Sequence, residues 1–367
     1  MSELRIAVIG VGDVAQRDYL PEAHRLAGDA SIVAVASRSA ERARAVAEEY
    51  DVARWTSDWT ELLDDTVDAV VNLTPIAVHR EITMAAIEAG KHVYSEKPFA
   101  MTPAEGMEIK RAAEQAGVTV VAAPSICLFP QIVALTEVVG AEELGAIHSA
   151  RAHVFAGAPP WEGYLSDPTP LFGAEGGPLR DMAVYPLHVL TGLFGPVTQV
   201  SAFSRRTRTS FVVTEGPWAG QNIPVESDDD WQLLVELEAG VVATVQANFC
   251  ARSAAGPELE LHGESGTAGA SLLDVAEPLR LLSPDAEDWR EVPVDARRSE
   301  GPDHILGVQH LAECVRDRRE PLVSMDHAIH VLDVLAAAEQ SAATGAAVRP
   351  GTKFPWTSPG SQRMTER

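Results

Sequence analysis

Three stretches of this 367-residue chain carry side chains whose type and spacing could hold a charge or move a proton. The first is Glu96-Lys97-Pro98, directly behind the apolar run His92–Ser95. Ligands of a doubly wound sheet bind where its strands end, and a lysine there can set an ammonium beside a substrate hydroxyl. A surface ion pair is the plainer duty of such a lysine. The second is Thr74-Pro75 with His79 shortly after it, behind the apolar run Val67–Leu73. These residues would shape a loop over a cofactor, or His79 would simply start a helix. The third is the run from Gly176 to His188, GGPLRDMAVYPLH. Proline is tolerated only in a first helical turn, so Pro186 predicts a helix starting no earlier than about Met182. That places Asp181 at or near the N-cap, Tyr185 in the first turn and His188 one turn beyond. Tyr185 could exchange a proton with a hydroxyl while Lys97 and Asp181 tune and orient it, because a nearby ammonium favours phenolate. The structural alternative is that Asp181 caps the helix and Tyr185 packs beneath it.

The element that must position these groups opens the chain. Leu4–Ile9 is a short apolar run that stops at Gly10-Val11-Gly12-Asp13-Val14-Ala15, a G-x-G-x-x-A sequence, and a helix-like segment follows. Strand, glycine turn and helix in that order make a dinucleotide fingerprint. Gly10 permits the tight turn, Gly12 lets the backbone approach a pyrophosphate, and Ala15 is small enough for helix to pack on strand. Asp13, Val14 and Ala15 begin a helix whose unpaired N–H groups and dipole face the phosphates. The second strand ends Ala36-Ser37-Arg38-Ser39, with no acid to accept from a ribose 2′-hydroxyl. Ser37 and Arg38 could together hold a 2′-phosphate, so NADP is favoured over NAD. Alternatively Arg38 is a solvated residue starting the next helix, with Arg42 and Arg44 close by.

Apolar strands alternate with helices up to about residue 123, which predicts an α/β fold: a doubly wound parallel sheet of Rossmann type, covered on both faces. After Pro124 the pattern becomes α+β. Trp231–Glu238 and Val241–Phe249 alternate as an antiparallel hairpin, and helices are expected over Ile305–Arg316 and His327–Thr344. The expected domains are residues 1–123 for the dinucleotide, 124–349 for substrate and self-association through an open, mainly antiparallel sheet, and a Gly/Pro/Ser-rich extended tail over 350–367. With 29 basic against 53 acidic residues, the formal net charge of −24 repels nucleic acid and anionic membranes. Three scattered cysteines, Cys127, Cys250 and Cys314, match no metal spacing and fit a reducing compartment. No signal peptide or membrane-spanning run is read, so a cytoplasmic location is expected.

Taken together, the G-x-G-x-x-A turn, the TP…H of Thr74–His79, the AGKHVYSEKP of Ala89–Pro98 and the GGPLRDMAVYPLH of Gly176–His188 resemble the glucose–fructose oxidoreductase/inositol dehydrogenase/MocA family over nearly the whole chain. The resemblance implies a cis Lys97–Pro98 peptide and assembly as a homodimer or homotetramer. It also implies that Lys97, flanked by Glu96 and Pro98, contacts both nicotinamide and substrate, and that Asp181 lines the substrate site. The commonest family pattern, D-x-G-x-H-x-x-D, is broken by Ala183, Tyr185 and His188. Tyrosine at that place resembles the branches that use it as the acid/base group, while His188 competes because an ordinary imidazole titrates nearer neutrality. Ile76 stands where the family often has asparagine. The expected activity is hydride transfer between nicotinamide and a secondary alcohol or ketone of a sugar, cyclitol or related polyol. Trp161 and Tyr164 would stack on the sugar ring, or serve as plain interface or core aromatics. Two alternatives share the fold: an NAD-dependent glycosidase, and a non-catalytic dinucleotide-binding regulator.

Overall fold

The structure is a computed structural model that describes residues 3–161 and 163–360. The chain forms two compact units, Met1–Ser125 with His304–Ala328, and Ile126–Asp303 with Ile329–Arg367. In the first unit the chain runs β1 (Leu4–Ile9), β2 (Ala30–Ala36), α1 (Ala40–Glu49), β3 (Arg54–Thr56), β4 (Ala69–Asn72), α2 (His79–Glu88), β5 (His92–Ser95), α3 (Pro103–Ala116) and β6 (Val120–Ala122). The six strands are all parallel, in the order β3-β2-β1-β4-β5-β6. Burial explains the apolar runs: every residue of β4 is inaccessible, and each such valine contributes about 1.5–3 kcal/mol by leaving water. Helix limits follow local chemistry. In α3 the Thr102 hydroxyl caps the Glu105 N–H at 3.2 Å, Pro103 fills the first turn, and Gly117 stops the helix at φ +67°. The helical segment behind the fingerprint is short, ending in a wide π-type turn over Ala15–Tyr19; Pro21 has no N–H with which to continue it.

The second unit holds α4 (Pro130–Gly140), β7 (Ile147–Phe155), the one-turn helices α5 (Thr169–Phe172) and α6 (Pro178–Asp181), then α7 (Val184–Phe194) and β8 (Val197–Arg205). The short strands β9 (Ser210–Val212) and β10 (Asn222–Pro224) pair with each other. Then come β11 (Asp230–Leu237), β12 (Val242–Asn248), β13 (Leu259–Gly263), β14 (Gly266–Ala270), β15 (Leu279–Leu282) and β16 (Arg290–Val292). Eight strands make one sheet in the order β16-β15-β14-β13-β7-β12-β11-β8, antiparallel except where β7 meets β12. Alternation decides its faces. Trp231, Leu233, Val235 and Leu237 of β11 are buried, while Leu234 points outward at 48% exposure beside Phe203 of β8 at 74% and Val242 of β12 at 40%.

Two expected boundaries need correction. The helix expected over Ile305–Arg316 forms as α8 (Ile305–Asp317), but it completes the first unit, not the second. Its Ile305, Val308 and Leu311 share one core with Ile6, Val71, Tyr94 and Val121. Gly307 makes this possible: a Cβ there would sit 2.1 Å from the Ser125 hydroxyl oxygen and 2.4 Å from the Tyr94 ring. The last helix, α9 (Met325–Thr344), runs from the first unit into the second. The expected extended tail is hydrogen-bonded to the rest of the second unit as far as it is described. Thr352 bonds Asp333 and His330, and the Trp356 indole N–H donates to the Gly192 carbonyl at 3.0 Å. Residues 361–367 of that tail lie outside the described residues.

Candidate functional site

Parallel register brings the first unit's candidate residues to one sheet edge. Ile9 pairs with both Ala36 and Asn72, Asn72 with Ser95, and Ser95 with Ala122, so the strands end in one row. Immediately behind that row stand Gly10, Ser37, Leu73-Thr74 and Glu96. Gly10 has φ +94°, and a Cβ on it would lie 2.7 Å from the Leu73 carbonyl carbon and oxygen. A side chain is thus excluded both by backbone conformation and by space, and the glycine turn lies against the Thr74-Pro75 loop. Gly12 closes the turn by accepting the Gln16 N–H at 3.2 Å, and Ala15 is buried under the sheet. Asp13 is buried too, and its carboxylate is met by Arg17 at 2.8 Å, so its negative charge is matched. Val14 takes helical backbone angles beside it. At the end of β2, Ser37 donates its N–H to the Thr56 carbonyl and is half-buried, while Arg38 is exposed. The Ser39 hydroxyl caps α1 at the Arg42 N–H, 3.2 Å away.

His79 ties two of the motifs together. One ring nitrogen lies 2.6 Å from the Thr74 carbonyl and the other 2.9 Å from the Pro98 carbonyl, and the ring is fully buried. Burial lowers its pKa, against the upward pull of the two carbonyls and of Glu96. Asn72, which no sequence signal marked, braces the same loop. Its side-chain oxygen accepts from the Thr74 hydroxyl at 2.6 Å, and its amide donates to the His79 carbonyl at 3.1 Å. Replacing His79 by alanine is expected to lower stability by about 1–3 kcal/mol, because a buried carbonyl loses its donor. Urea unfolding with an unchanged slope measures it.

Glu96 is buried, accepts the Lys97 N–H at 3.0 Å and accepts the Tyr19 hydroxyl at 2.5 Å. Lys97 is half-buried at the head of the next turn, and the Lys97–Pro98 peptide is cis. In this unit, then, the glycine turn, Thr74, Pro75, His79, Glu96, Lys97 and Pro98 converge on one edge. Tyr19 and Tyr94 escaped the sequence reading. The available signal was that Tyr94 and Glu96, two residues apart, leave β5 on the same face.

In the second unit Asp181, Tyr185 and His188 share one segment, but its helix differs from expectation. Gly177 (φ +87°) and Pro178 start the separate single turn α6, and Asp181 closes it. The longer helix α7 begins at Val184 with Ala183 at its N-cap, so Asp181 is not the cap of that helix. A proline pre-set for a first helical position nucleates the early turn. Tyr185 is 6% exposed and His188 is 3% exposed. Burial, with His330 nearby, pushes the His188 pKa down to about 3. An imidazole that stays uncharged through the neutral range has lost the advantage on which His188 competed as proton carrier. Trp161 and Tyr164 meet edge to face at 6.1 Å, and Trp161 meets buried Phe249 at 6.2 Å. Both thus belong to an aromatic cluster that continues through Phe172 to Phe211. Among the described residues no group of three or more His, Cys, Asp or Glu is placed to hold a metal ion, and no helix is long and apolar enough to cross a membrane.

Known proteins share this fold. Residues 4–123 match the oxidoreductase family with an NAD-binding Rossmann fold, and residues 132–269 match the GFO/IDH/MocA C-terminal domain. The scyllo-inositol 2-dehydrogenase (NAD(+)) of Bacillus subtilis is 25% identical over 359 residues, spanning 97% of this chain and 98% of that one. The D-xylose 1-dehydrogenase (NADP(+)) 2 of Haloferax volcanii is 26% identical over 359 residues, spanning 94% and 99%. In fold, the chain is similar to a levoglucosan dehydrogenase solved with NADH and levoglucosan, with TM-score 0.80, 22% identity and coverage of 96% and 100%. Both halves of the sequence and the row of strand ends therefore agree: the chain is an oxidoreductase and belongs to the GFO/IDH/MocA family.

Proposed function

We propose that the chain is an NADP-preferring dehydrogenase or reductase acting on a secondary alcohol or ketone of a sugar, cyclitol or related polyol. The observation that carries this reading is the single row of strand ends, which gathers the Gly10 turn, the Thr74-Pro75 loop and Lys97. The cradle fits a dinucleotide because any side chain at Gly10 would fill it. Backbone N–H groups over Gly12–Ala15 hold the pyrophosphate, helped by the pairing of Asp13 with Arg17, which removes an adverse charge. Ser37 and Arg38 hold the ribose phosphate, Arg38 being accessible and β2 offering no acid there. Nicotinamide, when bound, gives or takes the hydride.

The chain's own groups handle the rest. Lys97 sets its ammonium against negative charge growing on the substrate oxygen. Tyr185 moves the hydroxyl proton at its phenolic oxygen, and Asp181 orients the substrate. Trp161 and Tyr164 belong to this reading as the aromatic wall of the sugar site. The three thiols are free; Cys314 is buried and Cys250 exposed, and burial pushes the thiol of Cys127 up to about 12. Self-association as a homodimer or homotetramer would cover Phe203, Leu234 and Val242 on the open sheet face.

The test is a panel of sugars, inositols and dihydrodiols followed by nicotinamide absorbance with NAD and NADP separately. Net reduction or oxidation, with NADP ahead, is the expected result. Arg38→Ala should weaken NADP about tenfold or more while leaving NAD unaffected, since a charge-assisted contact to the phosphate is lost. Cleavage of a glycoside without net change of the nucleotide would point to the glycosidase of the same fold instead.

A further inference from the structure

The first unit buries a chain of hydroxyls that the proposed reaction leaves unused. The Tyr19 hydroxyl meets Glu96 Oε1 at 2.5 Å and the Tyr94 hydroxyl at 2.9 Å; Tyr94 in turn meets the Ser125 hydroxyl at 2.9 Å. The Tyr19 ring is stacked on His304 at 5.9 Å, and all five residues are buried. A carboxylate has no proton to give, so Tyr19 donates to Glu96. The Tyr19 oxygen is then placed to accept from Tyr94, while the single Ser125 hydroxyl proton is shared between the Tyr94 oxygen at 2.9 Å and the His304 carbonyl at 3.4 Å. Donors aligned this way polarise one another, and the effect is concentrated on the last acceptor. That acceptor is Glu96, whose second oxygen takes the Lys97 N–H at 3.0 Å.

We propose that Tyr19 is a positioning residue: backed by Tyr94, its hydroxyl orients the Glu96 carboxylate that fixes the Lys97 backbone, and so places the Lys97 ammonium. This rests on the reading of Lys97 given under the proposed function. Burial and the Glu96 charge hold the Tyr19 hydroxyl protonated well above the usual tyrosine range, as a permanent donor requires. The other titratable groups that act on or around Glu96 are His79, His304 and Lys97, with Asp18 and Arg17 beyond His304.

The experiment compares the full-length wild-type chain with Tyr19→Phe, Tyr94→Phe and the double variant. It records kcat and KM against pH, and thermal unfolding of the dinucleotide-free chain over the same range. Loss of the donor leaves one buried Glu96 oxygen short of a hydrogen bond and loosens the hold of the other on the Lys97 N–H. Tyr19→Phe is therefore expected to lower kcat about tenfold across the pH range while KM changes by less than about threefold. Tyr94→Phe lowers kcat less, and the double variant matches Tyr19→Phe, because Tyr94 acts only through Tyr19. Should Tyr19→Phe fail to fold, the smaller loss of kcat in Tyr94→Phe carries the test. Profiles that superimpose on those of an active wild-type chain, or a double variant in which the two losses add, overturn the proposal. A wild-type chain that turns over no polyol overturns the functional reading and this one with it.

Discussion

Lys97→Ala is expected to lower kcat by about 10²–10³-fold, the usual loss when one group facing developing negative charge is removed. Dinucleotide affinity should stay within about threefold of wild type, since the pyrophosphate is held by backbone and not by this side chain. The contrast is what makes the variant informative. Glu96 fixes the Lys97 backbone through its N–H, a bond that alanine keeps, so the turn itself should survive. Steady-state rates with the best substrate of the panel, set beside calorimetric titration of the nucleotide, separate the two effects. Lys97→Arg should recover little, because a guanidinium fork does not replace a compact ammonium at fixed geometry. Wild-type rates from Lys97→Ala would remove this lysine from the reaction.

Gly10→Ala should abolish dinucleotide binding. At φ +94° an L side chain costs roughly 1–2 kcal/mol in backbone strain alone. The added Cβ would also fall 2.7 Å from the Leu73 carbonyl carbon and oxygen and 2.8 Å from the Thr74 nitrogen. These are backbone atoms, and they are fixed: the Leu73 N–H donates to the Ile9 carbonyl at 2.8 Å in the ladder joining β1 to β4. Relief requires the Thr74 loop or the glycine turn to move, and both face the nucleotide in the proposed reading. Calorimetry should detect no binding of either nucleotide, with unfolding stability reduced by at least about 2 kcal/mol. Retained binding would mean that the cradle lies elsewhere.

The dinucleotide half of the fold was legible because parallel strands buried on both faces are written as plain apolar runs, as in AVVN of β4. The third strand, Arg54–Thr56, was not, since it is three residues long with Trp55 exposed. Motif positions were readable where the sheet register alone brings them together. Clamps between motifs were not: His79 reaching Pro98, or Tyr19 reaching Glu96, depend on tertiary distances that spacing does not encode. The case of His188 is similar. Its residue type suited proton exchange, and only its 3% exposure reveals that it stays neutral. The early turn at Pro178, which displaced Asp181 from the cap of α7, was decided by a glycine–proline pair just upstream of the segment's acid.

The helix α8 has a bearing on how the protein is made. Every strand of the nucleotide-binding sheet has left the ribosome once residue 122 has emerged, yet the segment that seals Tyr94, Val121 and Ile6 lies beyond residue 304. Nascent chains of intermediate length must therefore carry an open apolar seam while residues 126–303 of the second unit are being synthesised. The vectorial rule that N-terminal domains mature first does not hold for this one, and the two units finish almost together.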